Sequence, residues 1–179
     1  IVSRDWSSDV CSSDLILIGF MGVGKGTVAR ALVKNSDYFA IDTDDIIESI
    51  ENKKIKKIFE DNGEAYFRAL EAKCAKWCES NITNTIISTG GGFYKQENIN
   101  DIGTVIYLES SFDGILKRIN DAPNAKAKLK KRPLLQDLKA AKQLYNQRII
   151  DYKMCADVIV DVENKPLKKI VKEILKAAK

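Results

Sequence analysis

The chain has 179 residues, a net charge of +4, 45% hydrophobic and 30% charged residues. That length and balance describe one globular domain with a single buried core, and no run approaches the roughly 18 apolar residues of a membrane span. The mild, dispersed positive charge does not suggest a nucleic-acid partner. The sequence contains no histidine, which removes His-based general-base and triad chemistry and leaves Asp, Glu, Lys, Arg, backbone amides and a metal. Four cysteines in a chain this long do not read as a disulfide framework. Cys74 and Cys78, on one face of an expected helix, read as reduced thiols rather than as half of a metal site.

Residues 1–14, IVSRDWSSDVCSSD, show neither helical nor strand periodicity and lack the apolar core of a secretory signal. They contain a near-repeat and resemble a translated sequencing adapter. They are set apart as a non-native or disordered tail, and one domain is expected over 15–179.

Leu15 to Ile18 is a short apolar run ending at a glycine loop, as a buried parallel strand does. A helix begins near Lys25, with Val28, Ala31 and Leu32 at helical spacing. Tyr38 to Ile41 reads as a second strand that ends at Asp42-Thr43-Asp44. Two or three helices follow to about Ser80, and Thr85 to Ser88 is a third strand running into Gly90-Gly91-Gly92. Thr104 to Leu108 is a fourth strand, with a helix over about 111–120. The segment 121–136, rich in Lys, Ala and Asn, has the composition of a mobile surface loop. A long helix over about 137–154, a fifth strand from Asp157 to Asp161 and an amphipathic helix from about Pro166 complete the chain. Strands alternating with helices imply an α/β fold with a parallel sheet between helical layers. In such sheets ligands bind beyond the carboxyl ends of the strands, where the loops after strands one, two and three carry the chain's least ordinary motifs.

The first motif is GFMGVGKGT, Gly19 to Thr27. Its glycines let backbone amides turn inward around phosphate oxygens, the following helix adds its dipole, and Lys25 adds a cation. In the usual phosphate loop a Ser or Thr that holds Mg²⁺ follows the lysine. Here Gly26 stands there and the hydroxyl comes one place later, at Thr27. Asp42 and Asp44, two apart on an extended segment, can point the same way, one toward Mg²⁺ and one toward an acceptor hydroxyl. An alternative reading makes Asp42 a helix N-cap. Gly90, Gly91 and Gly92 offer exposed amides and close approach to a ligand, and Ser88 stands where a water-mediated link to Mg²⁺ can form. Only six of the 29 basic residues are arginine. In so lysine-rich a chain, Arg68, Arg118, Arg132 and Arg148 point to places that need a planar, bidentate fork. Arg30, on the helix after the loop, reads most readily as surface charge.

GFMGVGKGT, the Asp42–Asp44 pair, Phe67-Arg68 with Glu71, the triple glycine, Arg132-Pro-Leu-Leu135, and Tyr145 to Arg148 together resemble shikimate kinase, from about residue 16 to the C-terminus. The resemblance implies a three-layer α/β/α P-loop kinase fold, a five-stranded parallel sheet in the order 2-3-1-4-5, and a mobile lid over about 119–136. It implies ATP as co-substrate, Mg²⁺ as cofactor and shikimate as acceptor, in a cytoplasmic monomer. ATP would be bound by Gly22, Val23, Gly24, Lys25, Gly26, Thr27, Arg118, Arg132 and Lys165. Shikimate would be bound by Asp44, Arg68, Gly90, Gly91, Gly92 and Arg148, with Lys25, Asp44 and Arg132 catalytic. Asp42 and Ser88 would organise Mg²⁺ through water. The GKGT form is also similar to adenylate kinase, so an adenylate- or gluconate-kinase-like enzyme, or a nucleotide-binding module with weakened catalysis, remains an alternative.

Overall fold

Five short apolar segments, each four to six residues long, pair side by side in one parallel sheet ordered β2-β3-β1-β4-β5. They are β1 (Leu15–Ile18), β2 (Phe39–Asp42), β3 (Thr85–Ser88), β4 (Thr104–Glu109) and β5 (Val158–Asp161). The computed structural model describes residues 14–123, 125 and 133–178. Part of the expected lid, Arg132 included, and residues 1–13 of the expected tail lie outside the described residues.

Among the described residues the helices are α1 (Lys25–Val33), α2 (Thr43–Glu51), α3 (Ile55–Asn81), α4 (Ile99–Ile102), α5 (Phe112–Asn120), α6 (Leu138–Cys155) and α7 (Leu167–Ala177). Packing of α1 with α7 covers one side of the sheet, while α4 and α6 lie against β4 on the other and α3 packs on α4. β1 is wholly buried because it has a strand on each side and helices above and below, which is why it reads as an unbroken Leu-Ile-Leu-Ile run. The strand-helix alternation and its boundaries agree with the sequence reading to within a residue or two, with informative exceptions.

Asp14, grouped with the tail on sequence, belongs to the fold. It is buried, its carboxylate accepts the Thr85 N–H at 2.7 Å, and its carbonyl accepts the Thr104 N–H at 2.9 Å. One acidic residue thus satisfies the first backbone donors of the strands on both sides of β1. β2 begins at Phe39 rather than Tyr38, because its register pairs Phe39 with Thr85. As an edge strand it leaves Phe39 80% exposed. Asp44 is not on an extended segment. Helix α2 starts at Thr43, with Asp42 at its N-cap accepting the Asp44 N–H at 3.0 Å. The capping and functional readings of Asp42 are therefore compatible, since only one of its oxygens caps. Gly63, with φ 81° and ψ 175°, kinks α3 between its first two turns and its long second part.

Candidate active site

The Gly19–Thr27 loop leaves the buried β1 and enters α1 without a side-chain cap. Gly24 is the N-cap, at φ 110°. A Cβ there would be strained by the backbone and would stand 2.7 Å from the Arg118 guanidinium. The positive end of α1 thus stays open toward the cleft. Lys25 Nζ donates to the Gly19 carbonyl at 2.7 Å, which holds the ammonium across the mouth of the loop. The loop is braced from outside. Arg118 of α5 donates to the Val23 and Val162 carbonyls, each at 2.8 Å, tying the loop to the segment after β5. Phe20 packs edge-on against Tyr145 of α6 with ring centroids 5.4 Å apart.

Beside this loop, Asp42 accepts the Ser88 hydroxyl at 2.7 Å, so the two expected metal-organising side chains meet directly. At the second residue of α2, Asp44 faces the triple-glycine loop. Its pKa is raised from the usual carboxyl value of 3.8 to about 7, chiefly by burial, then by the neighbouring Asp42 carboxylate, and against the pull of Lys25. Its Oδ1 and Glu71 Oε1 are the buried side-chain oxygens without a hydrogen-bond partner among the described residues. Both border Gly90, where a Cβ would lie 2.6 Å from the first and 3.3 Å from the second. An unpartnered buried carboxylate oxygen costs free energy unless a ligand meets it.

On the far side, Arg68 of α3 donates through Nη1 to Glu71 at 2.6 Å and through Nε and Nη2 to Glu64 at 3.1 and 2.7 Å. These bonds fix the plane of the fork and leave one N–H on each terminal nitrogen for a ligand. Burial raises the pKa of Glu71 and Arg68 opposes that rise. A Cβ on Gly92 would run into Arg68 Nη1. Arg148 of α6 donates to the Gly91 carbonyl at 3.0 Å, and Thr43 Oγ1 accepts the Gly90 N–H at 3.2 Å.

Phosphate loop, Asp42, Asp44, Ser88 and Gly90 to Gly91 line a single open cleft of about 830 Å³. Gly22, Gly24, Lys25, Gly26, Thr27, Arg118 and Lys165 also line it, with Ile119, Leu167 and Ile170 supplying an apolar end. Val23 is buried beneath the loop rather than exposed to the cleft. Arg30, read as surface charge, belongs to the lining as well. Residues the sequence reading missed include Thr43, Glu64 and Tyr152, whose hydroxyl donates to Gly91 at 2.6 Å. Glu64 and Tyr152 each stand four residues from an expected site arginine, the spacing that puts two side chains on one helix face. Another depression, of about 590 Å³, lies between Asn35, Tyr38 and Leu175 at the opposite end of the strands, and no lysine or arginine lines it.

Comparison with known proteins gives a consistent result. A family model described as Shikimate kinase matches residues 21–179. A shikimate kinase of Helicobacter hepaticus is 39% identical over 83% of this chain and 86% of its own. One from Dictyoglomus turgidum is 35% identical over 91% and 95%. The crystal structure of shikimate kinase from Aquifex aeolicus superposes with a TM-score of 0.75 at 36% identity, covering 92% of this chain and 95% of that one. Shikimate kinase from Acinetobacter baumannii in complex with shikimate gives 0.79 at 28% identity, covering 91% and 90%. The chain belongs to the shikimate kinase family.

Proposed function

We propose that the chain transfers the γ-phosphate of ATP to the 3-hydroxyl of shikimate, giving ADP and shikimate 3-phosphate on the way to chorismate and the aromatic amino acids. The observation that carries this reading is the unpartnered Asp44 Oδ1, buried between the phosphate loop and the glycine turn. Phosphoryl transfer asks a protein for alignment and charge stabilisation rather than covalent chemistry. The open N-terminus of α1 and Lys25 bind the β- and γ-phosphates. Asp44 accepts the acceptor hydroxyl's proton as the new O–P bond forms, while the bridging oxygen leaves with ADP. Arg68 and Arg148 hold the acceptor carboxylate, and Gly90, Gly91 and Gly92 admit the ring against bare backbone. Arg118 and Lys165 border the nucleoside, and Arg132 closes over the phosphates in the same scheme.

Magnesium belongs to this proposal. Asp42 and Ser88 present hard oxygen ligands in contact with one another, which suits a cation that keeps most of its waters. Among the described residues no cluster of three or more His, Cys, Asp or Glu side chains could hold a metal alone, so phosphate and water must complete the shell. Mg²⁺ held beside Asp42 and Ser88 would supply neutralisation of the phosphate charge during transfer. A Cβ on Gly26 would lie 3.5 Å from Arg30 Nη1 and 4.0 Å from Ser88 Oγ, so a serine fits. Gly26→Ser is expected to lower the Mg²⁺ concentration for half-maximal rate about three- to tenfold, the worth of one modest polar contact. The same shift is expected in the Mg²⁺ dependence of ADP affinity. Midpoints that stay put in both titrations would count against a water-held cation.

A monomer acting in the cytoplasm completes the proposal. No helix among the described residues is long and apolar enough to cross a membrane.

Arg68→Lys tests the acceptor assignment. A point charge cannot replace a planar fork, so the KM for shikimate is expected to rise about 10- to 100-fold while that for ATP stays within about twofold. A matching rise in both would argue against a carboxylate clamp.

A further inference from the structure

The Gly91 carbonyl receives two donors from one helix face. Arg148 Nη1 reaches it at 3.0 Å and Tyr152 Oη at 2.6 Å. Arg148 is half-buried and Tyr152 is 1% exposed. The Tyr152 ring has little freedom. It stacks on Tyr107 of β4 at a centroid distance of 5.3 Å and meets Tyr94 edge-on at 4.7 Å. Tyr94 stands two residues after the glycine turn, and its hydroxyl donates to Asp151, the residue next to Tyr152. Burial pushes the Tyr152 phenol well above its ordinary pKa, so it remains a donor throughout the working range.

Arg148 places one of its five N–H donors on Gly91, and swinging the planar fork squarely onto a carboxylate draws that donor away. Arg148 alone on Gly91 would leave that half-buried carbonyl without a protein donor each time it turned to a ligand, at the cost of one hydrogen bond. We propose that Tyr152 is a positioning residue for the acceptor carboxylate: its hydroxyl holds the Gly91 carbonyl on its own, which frees Arg148 to engage the acceptor. The inference rests on the reading of Arg148 as a carboxylate-binding arginine and assigns the fixed half of a two-donor arrangement. The tyrosine stays in place and keeps the glycine turn in register with α6. The arginine exchanges one acceptor for another.

Tyr152→Phe removes only the oxygen and keeps both ring contacts. Shikimate affinity, measured by calorimetry without nucleotide, and the KM for shikimate are expected to weaken about three- to tenfold. The KM for ATP and the thermal midpoint should hold. In an Arg148→Ala background the same change is expected to have no further effect on shikimate affinity, because the freed arginine is already gone. Three results would overturn the inference, and they are distinguishable. Undiminished shikimate affinity in Arg148→Ala alone would remove the carboxylate-binding reading and this inference with it. Weakening by Arg148→Ala but not by Tyr152→Phe would remove the tyrosine's role and leave the arginine's. Equal weakening by Tyr152→Phe in both backgrounds, or an equal loss of ATP affinity, would make the hydroxyl a general support of the fold.

Discussion

Replacing Asp44 by Asn is expected to lower kcat about 10²- to 10⁴-fold, the usual worth of a positioned general base, and to change the KM for ATP little. The amide keeps the shape of the side chain but cannot take a proton from the acceptor. The wild-type pH profile carries the same information. Asp44 has its pKa raised to about 7, so below that value it holds a proton and cannot accept another. kcat/KM for the acceptor should therefore rise about tenfold per pH unit on the acid side and level off above about 7. In Asp44→Asn that acid limb should vanish. Stability gives a second readout of opposite sense. Because the folded-state pKa lies above the unfolded one, the folded protein binds the extra proton between about pH 4 and 7 and loses stability as the pH rises across that range. Asp44→Asn should therefore be the more thermostable protein at pH 8, although it is the poorer enzyme. An unchanged acid limb in the variant would show that another group sets it.

Lys25→Met is expected to reduce kcat about 10²- to 10³-fold, comparable with removing one preorganised donor to developing charge elsewhere. The methylene stem survives, so packing beneath the loop is kept. What is lost is the ammonium that spans the loop to the Gly19 carbonyl. The glycine backbone and the uncapped start of α1 do not depend on that ammonium, so ADP should still bind, with an affinity reduced less than the rate. Measuring ADP affinity by calorimetry beside kcat separates these contributions. A parallel loss in both would mean that Lys25 chiefly binds the ground state.

Much of the fold was legible because parallel strands buried on both faces read as short apolar runs, and Leu15 to Ile18 is the clearest case. The edge strand β2 was placed one residue early, since exposure of Phe39 blurs the pattern that marks a core strand. Asp14 was assigned to the tail because a lone Asp beside a serine-rich segment carries no periodic signal. Its role depends on strands that arrive 71 and 90 positions later, at Thr85 and Thr104. The phosphate loop, the Asp42–Asp44 pair and the glycine turn could be read locally, because each packs its chemistry into a few consecutive residues. Arg30 could not, since only the fold shows which face of α1 borders the cleft. Glu64 and Tyr152 were hidden for another reason. Each supports a site residue one turn away on its own helix, and helical spacing offers that face to many residues that do nothing of the kind.

The most direct measurement is ADP release from ATP and Mg²⁺ with shikimate, AMP, gluconate or no added acceptor. The expected result is turnover stimulated by shikimate alone, with AMP and gluconate at the level of the blank. Stimulation by AMP or gluconate in its place, or no stimulation by shikimate, would contradict the assignment of this cleft to shikimate phosphorylation.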